Sequence, residues 1–497
     1  MSLLQEQTGP NIASTSVATL VSKGSLYSIG SSAITIVSGF IRSTLLARLL
    51  TPDDFGVVTL ALFFISLAGQ ISDFGFTKAL IHRDTDILEA ASAHFILRTG
   101  LAAFTALLLV LASPLLARLY PTQPEMIKAL LVLSLFHVIS ALNSTPEVLL
   151  KKNLDFKFIT ALDVATSLAM TIGSVAMAFF GLGFWSLVGM QAIAVLIRSL
   201  GLWGIKRSWK PILKLDKTIL HWYFQFGSFV FLSSLFTKIL DQFDDFWAGT
   251  ALGSTALGFY SRAYEFAGYS QRVVGSPIAL VFFPTYAKLQ HDRLKLSQAF
   301  FRVSSLMVRA GFLFSLVFIL VIPEFVRIFL GEIWLAMVLP FRLMVIYTLL
   351  DPLSETCGQL LTAVGQPRLL SRIKFYQLLL FIPAVIVLAH LWEIDGIAVA
   401  ADLMLIAGLG LMLRQAKRFV DFSLSKLFRN PSLGFLLGAS VTMLISFWFR
   451  TENDWLALLI KSGIAICSYS GFLFLMEHKE YIKTFRMLYA RLKPEQS

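Results

Sequence analysis

Fourteen apolar segments, each close to the length that crosses a hydrocarbon core as a helix, can be drawn along the 497 residues of this chain. They run near 25–46, 55–76, 90–113, 126–145, 159–180, 184–204, 221–247, 257–284, 298–322, 335–361, 370–390, 396–413, 432–449 and 455–476. A chain built this way must satisfy its backbone polar groups internally while lipid surrounds it, and bundled α-helices do so. Charged residues make up only 14% of the sequence, against about 25% in soluble domains. The expected fold is an all-α polytopic membrane protein with 14 transmembrane helices.

The connectors are short and rich in Pro, Gly and charge, as at Thr51–Asp54, Pro121–Pro124 and Gly365–Arg368. Alternate connectors and the tail carry 27 Lys and Arg residues, the other set only Arg48, Arg118, Arg327 and Arg450. Basic connectors stay on the cytoplasmic side, so both termini are expected there. A weak repeat links Phe55-Gly56-Val57-Val58 with Leu257-Gly258-Phe259-Tyr260, and Ala79-Leu80 with Ala279-Leu280. This predicts two six-helix lobes as a parallel pseudo-repeat, plus an accessory pair. The division is an N-lobe at 1–204, a basic linker at 205–218, a C-lobe at 219–415, helices thirteen and fourteen at 416–477, and a basic tail at 478–497.

Several function classes fall away. The formal charge of +12 is scattered through short loops, so no nucleic-acid partner is expected. Cys357 and Cys467 show no CxxC spacing, which supports neither a disulfide framework nor a metal site. The polar N-terminal stretch lacks the features of a signal peptide. No phosphate loop, HExxH or GxSxG arrangement is present, so neither ATP hydrolysis nor another enzymatic activity is expected.

Eleven basic residues lie inside the apolar segments: Arg42, Arg98, Lys128, Arg198, Lys238, Arg262, Arg272, Arg302, Arg309, Arg342 and Lys461. A charge at that depth costs on the order of 2.5–3.5 kcal/mol, so it faces a bundle interior or a wet cavity. Arg198, Arg302 and Lys128 stand near helix ends, where snorkelling explains them, and Lys461 stands alone. Arg98 is left ambiguous.

Segment one carries a stripe of Ser28, Ser31, Thr35, Ser38 and Arg42, which reads either as helix packing or as a cavity face. Segment seven repeats it with more charge: Ser234, Thr237, Lys238, Asp241, Asp244 and Asp245. One lysine cannot neutralise three carboxylates, which leaves a coupling-ion site or an ion pair with a solvated helix end. Asp163 and Asp402 have no clear sequence neighbour and read as packed hydrogen-bonding groups.

Segment eight places Arg262, Glu265, Tyr269 and Arg272 on one side. Segment nine adds Arg302, Ser305 and Arg309, and segment ten Arg342, Asp351, Glu355 and Gln359. Guanidinium forks with carboxylates and a phenol suit a sugar–phosphate ligand, and they also suit a structural polar network.

The run Tyr27–Gly56, and above all its LARLLTPDDFG junction, resembles the amino-terminal signature of the polysaccharide transporter family. That family includes the Wzx-type flippases of the multidrug/oligosaccharidyl-lipid/polysaccharide exporter superfamily. The resemblance implies export of undecaprenyl-diphosphate-linked oligosaccharide across the bacterial inner membrane by alternating access. It also implies a cationic cavity for the diphosphate, with Arg42, Arg262, Arg272, Arg309 and Arg342 as candidates. Some relatives couple to sodium through a carboxylate on helix seven together with acidic or amide groups on helices eleven and twelve; Asp241, Asp244 and Asp245 on helix seven and Asp402 on helix twelve could serve here. Segment eleven has no carboxylate, a departure that speaks against a sodium site and leaves proton coupling open; the coupling ion is expected to be H+ or Na+, with no cofactor. The implied partners are the lipid-linked oligosaccharide, membrane lipid, and a polymerase and chain-length regulator of the pathway. A drug or toxin antiporter of the same superfamily is the alternative, followed by a membrane polymerase or ligase.

Overall fold

The computed structural model is almost wholly helical. It describes residues 14–207, 209–212, 216–269, 271–275, 285–449 and 451–492, with side chains except at 14–29, 229, 233, 274, 275 and 478–492. Lys214, Arg450, the Ala279–Leu280 half of the repeat and the later part of segment eight lie outside the described residues, as do the side chains of Ser28 and of the basic tail.

The helices are α1 (Ser14–Leu49), α2 (Pro52–Asp73), a short α3 (Phe76–His82), α4 (Ile87–Leu119), α5 (Pro124–Lys152), α6 (Phe156–Phe179) and α7 (Trp185–Ser199). After the linker come α8 (Lys217–Trp247), α9 (Ser254–Ala267), α10 (Arg293–Phe325), α11 (Val338–Ala363), α12 (Pro367–Ala416), α13 (Leu424–Trp448) and α14 (Asp454–Leu492). Wide π-type turns at Leu200–Lys206, Ala248–Leu252 and Val326–Leu330 extend α7, α8 and α10.

Twelve helical stretches among the described residues are long and apolar enough to cross a membrane. One of them, α12, has 50 residues, about 75 Å at the helical rise and more than twice a hydrocarbon core of about 30 Å. Its backbone leaves helical geometry at Trp392 and Glu393. Gln377 donates to the Met404 carbonyl at 3.3 Å and packs on Gly408, so α12 is a hairpin of two antiparallel helices. These are the eleventh and twelfth segments of the sequence reading.

Local chemistry sets the helix starts. Thr51 and Asp54 form a reciprocal cap, Thr51 N to Asp54 Oδ2 at 2.9 Å and Asp54 N to Thr51 Oγ1 at 3.3 Å, with Pro52 at the first helical position. Asp292 caps α10 at Lys295 N and Ser423 caps α13 at Lys426 N. Asp155 caps α6 and pairs with Lys206 at 2.5 Å; that contact holds its carboxyl below the usual range.

Packing divides the chain along a different line from the sequence division. One compact unit comprises residues 1–43, 68–113 and 131–231; the other comprises 44–67, 114–130 and 232–497. In the first, Phe76, Ala90, Ala91, Val148, Trp209 and Tyr223 form a core joining α3, α4, α5 and the start of α8. In the second, Phe300, Met307, Leu353, Cys357, Leu360 and Leu413 join α10, α11 and α12. A further cluster of Leu316, Leu320, Tyr469 and Leu473 binds α14 to α10.

Candidate functional site

The second unit holds both the LARLLTPDDFG junction and most of the charged candidates. At the α1–α2 junction Arg48 spends its guanidinium on main-chain oxygens, those of Arg327 and Phe329 at 3.1 Å and that of Ile328, capping the end of α10. Asp53 accepts from Ser254 Oγ and from Thr255 Oγ1 at 3.3 Å. Phe55 meets Trp334 edge-on at 5.5 Å, Phe259 meets it at 5.8 Å, and Trp334 Nε1 donates to the Ala47 carbonyl at 2.8 Å.

The two repeat-related glycines meet here. A Cβ on Gly56 would overlap the carbonyl of Ser254, and a Cβ on Gly258 would overlap that of Pro52. Each carbonyl belongs to the residue four positions before the partner helix's own glycine, so the starts of α2 and α9 seat in each other reciprocally. Small residues permit such close backbone approach.

Beside this clasp, α8, α9, α11 and α12 bring ionisable groups together. Tyr260 donates to Asp244 Oδ2 at 2.7 Å, both side chains being buried, and Asp244 Oδ1 has no hydrogen-bond partner. Asp245 lies in the field of Asp244 and Arg262. Arg262 pairs with Glu265 and lies 4.4 Å over the Phe55 ring. Tyr264 and Tyr347 pack at 6.0 Å within reach of Asp241, Asp244 and Asp351. Gln271 Nε2 donates to Glu355 Oε2 at 3.4 Å, and Gln359 Nε2 to Glu355 Oε1 at 3.5 Å. Asp402 is buried near the Tyr347 backbone, with Oδ1 unpartnered.

Carboxylates outnumber bases in this group, where Lys238 and Lys374 stand opposite Asp241 and Arg262 opposite Asp245. So many carboxylates in one apolar setting call for a proton or a cation to accompany them. Among these candidates Asp245 neighbours Arg262, Asp351 neighbours Glu355 and Asp241, and Asp402 sits beside the Tyr347 backbone.

The other arginines go elsewhere. Arg272 is exposed, 5.0 Å over the ring of buried Tyr269. Arg342 is exposed on α11. Arg42 belongs to the first unit, where it donates to Ser167 O at 3.4 Å and Thr171 Oγ1 at 3.2 Å on α6. Arg309 binds Glu477 of α14 through Nε and Nη2, each at 2.8 Å, so it joins the accessory pair rather than the α8–α9 charges.

Long-range partners also revise single-residue readings. Asp163 and Glu147 both bind Arg198, which is therefore an ion-paired residue of α5, α6 and α7. Lys461 pairs with Glu324 at 2.6 Å. The accessory helices are thus tied to α10 by charge, while their outer faces expose Leu436, Phe447, Leu459 and Phe474. Sequence reasoning also missed Tyr260, Tyr264, Tyr347 and Lys374. Lys374 had counted as a connector charge but donates to Thr237 Oγ1 at 3.0 Å.

Residues 45–339, well over half of the chain, match the family described as polysaccharide biosynthesis protein. The chain belongs to this polysaccharide biosynthesis family. It is 26% identical over 371 residues to the lipopolysaccharide biosynthesis protein WzxC of Escherichia coli, covering 73% of this chain and 74% of that one. The succinoglycan biosynthesis transport protein ExoT of Rhizobium meliloti is 29% identical over 263 residues, 52% of each chain. Among solved structures, the lipid II flippase MurJ in an inward closed conformation superposes with TM-score 0.76 over 92% of this chain at 16% identity. An inward-facing multidrug resistance MATE family transporter gives 0.59 over 80% at 13%. The fold is the one shared by MurJ and the MATE transporters, and the family resemblance read from the α1–α2 junction is borne out.

Proposed function

We propose that this protein flips undecaprenyl-diphosphate-linked oligosaccharide repeat units across the bacterial inner membrane, for O-antigen, capsule or exopolysaccharide assembly, by alternating access. The observation that carries the reading is that the family match spans, in one stretch, the α1–α2 junction, the carboxylates of α8 and Arg262 of α9. The proposed topology has fourteen spans with both termini cytoplasmic, which puts the α2–α9 clasp on the outer side. Arg262, Arg272 and Arg342 of the second unit would meet the diphosphate, with Glu265, Tyr269, Asp351 and Glu355 as partners for sugar hydroxyls. The chain performs no bond chemistry in this scheme; a polymerase and a chain-length regulator would act on the exported unit.

Transport is proposed to be coupled to H+ or Na+ at Asp241, Asp244, Asp245 and Asp402. The unpartnered buried oxygens of Asp244 and Asp402 support this reading. In proteoliposomes, Asp244→Asn and Asp402→Asn are expected to abolish the response of transport to a proton or sodium gradient; an unchanged response in both would remove the coupling role. Arg272→Gln should lower export roughly ten- to hundredfold, the loss of one charge-assisted contact of about 1.5–3 kcal/mol. The surplus of carboxylates also favours a second reading, antiport of a cationic drug. Efflux of a cationic dye by a protein that leaves polymer export unaffected would decide for it.

A further inference from the structure

The last membrane-length stretch of the chain ends where its helix bends. Asp454–Glu477 is long and apolar enough to cross a membrane, about 36 Å at the helical rise against a hydrocarbon core of about 30 Å. The backbone leaves helical geometry at Glu477, with φ −125° and ψ 15°, and α14 then continues as helix to Leu492. The bend is held in place. Glu477 is buried, bound by Arg309 of α10 and by Asn430 Nδ2 of α13 at 2.9 Å.

Polarity changes at the same residue. Phe474, Leu475 and Met476, just before the bend, are exposed apolar side chains, which suits lipid around them. Close by, α13 exposes Lys426 and Arg429 within about one turn of Asn430, and α10 exposes Arg302 about two turns before Arg309. Exposed cations beside exposed apolar side chains mark the level where hydrocarbon gives way to headgroups.

The sequence beyond the bend, HKEYIKTFRMLYARL, has no Gly or Pro and sorts its residues by face. At helical spacing Tyr481, Ile482, Phe485, Leu488, Tyr489 and Leu492 share an arc of about 120°. Lys479, Lys483, Arg486 and Arg491 take positions outside that arc, and Glu480 is the one acid in 478–492. Charges at this density exclude a further crossing of the membrane. A helix of this length is also marginal in water unless its apolar arc is covered. A helix divided in this way, with a net positive polar face, lies in the plane of a bilayer.

We propose that residues 478–492 form a surface-lying helix that docks on the anionic headgroups of the bilayer, pinned at Glu477. Lipid is the occupant because the arc adjoins the end of a membrane-spanning helix and its flanks are basic, which matches a phosphatidylglycerol-type surface. The docking is independent of which cargo is carried.

Maleimide labelling of the full-length protein in lipid nanodiscs tests this. The background is Cys467→Ser, since Cys467 is exposed and Cys357 buried. In phosphatidylglycerol discs, Phe485→Cys and Leu488→Cys are expected to react roughly tenfold more slowly with a water-soluble maleimide than Met487→Cys, a position opposite the arc. Phosphatidylcholine discs should remove most of that difference, as should Lys479→Gln, Lys483→Gln, Arg486→Gln and Arg491→Gln combined. Equal rates at all three positions in phosphatidylglycerol overturn the proposal. So does protection of Phe485→Cys and Leu488→Cys that is unchanged in phosphatidylcholine, the sign of an arc packed on this chain or on a second copy. The lipid comparison leaves the charges of the helix intact, so it decides even if the glutamine variant fails to fold. A failure here leaves the flippase reading standing, because no transported substrate enters the measurement.

Discussion

Replacing Gly56 or Gly258 by alanine is expected to cripple export while the protein still inserts, and leucine is expected to abolish it. A Cβ at either position overlaps a main-chain carbonyl of the opposite helix, not the movable end of a side chain. Rotamer changes cannot relieve such a clash; α2 and α9 must separate. Overpacking of this kind costs about 1–3 kcal/mol and sometimes more, and each 1.4 kcal/mol is about a tenfold change in population. The clasped state would then be depleted roughly ten- to hundredfold, and a cycle that must pass through it slows accordingly. Export is read as surface polymer in cells lacking the native gene copy. The clasp itself is read by oxidative cross-linking of Asp53→Cys with Ser254→Cys, which replaces a hydrogen-bonded pair. Gly410→Ala is the control, since nothing approaches a Cβ there. Normal export together with undiminished cross-linking in both alanine variants would show that the close approach is dispensable.

The clasp explains which parts of this molecule its sequence reveals. The repeat around Gly56 and Gly258 was legible because both copies answer to one geometric demand, and local identity suffices to show it. The carboxylates of α8 were legible for a similar reason: Asp241, Asp244 and Asp245 share a face by helical spacing alone. Partners across the fold left no such mark. Arg309 and Glu477 are 168 positions apart, and Lys461 and Glu324 137 apart. Periodicity says which face a residue occupies and nothing about the helix opposite. Asp163 and Lys461 therefore read as solitary although each has a partner. His94 and His137 drew no notice because a lone histidine on an apolar face is common. What sets these two apart is that each ring faces hydroxyls supplied by two other helices. The α12 hairpin was legible as two apolar runs, and its reversal at Trp392 and Glu393 is followed by Gly396, where a Cβ would overlap the Leu388 carbonyl.

Arg309→Met is expected to destabilise the protein by about 3–5 kcal/mol, because it leaves the Glu477 carboxylate buried without its cation. The pair is enclosed: the Arg309 and Glu477 side chains are 14% and 7% exposed, so solvent cannot take over the missing contact. Both guanidinium bonds are 2.8 Å. Asn430 Nδ2 adds a third to Glu477 Oε1 at 2.9 Å, and the Tyr469 hydroxyl donates to the Arg309 carbonyl at 2.9 Å. The network thus ties α10, α13 and α14 together at the point where α14 departs from helical geometry, at Glu477 itself. Glu477→Gln alone should cost less, since the amide oxygen still accepts from the guanidinium. Removing both charges with Arg309→Met and Glu477→Met should recover most of the stability, as exchanges of buried ion pairs for apolar side chains often do. Thermal unfolding in detergent gives the stability ranking, and polymer export gives the functional one. Export that returns with stability in the double variant would fix Arg309 as a strut of the accessory helices. Export still lost in a stable double variant would return Arg309 to the cargo path, with Glu477 as the counter-charge it leaves when the diphosphate arrives.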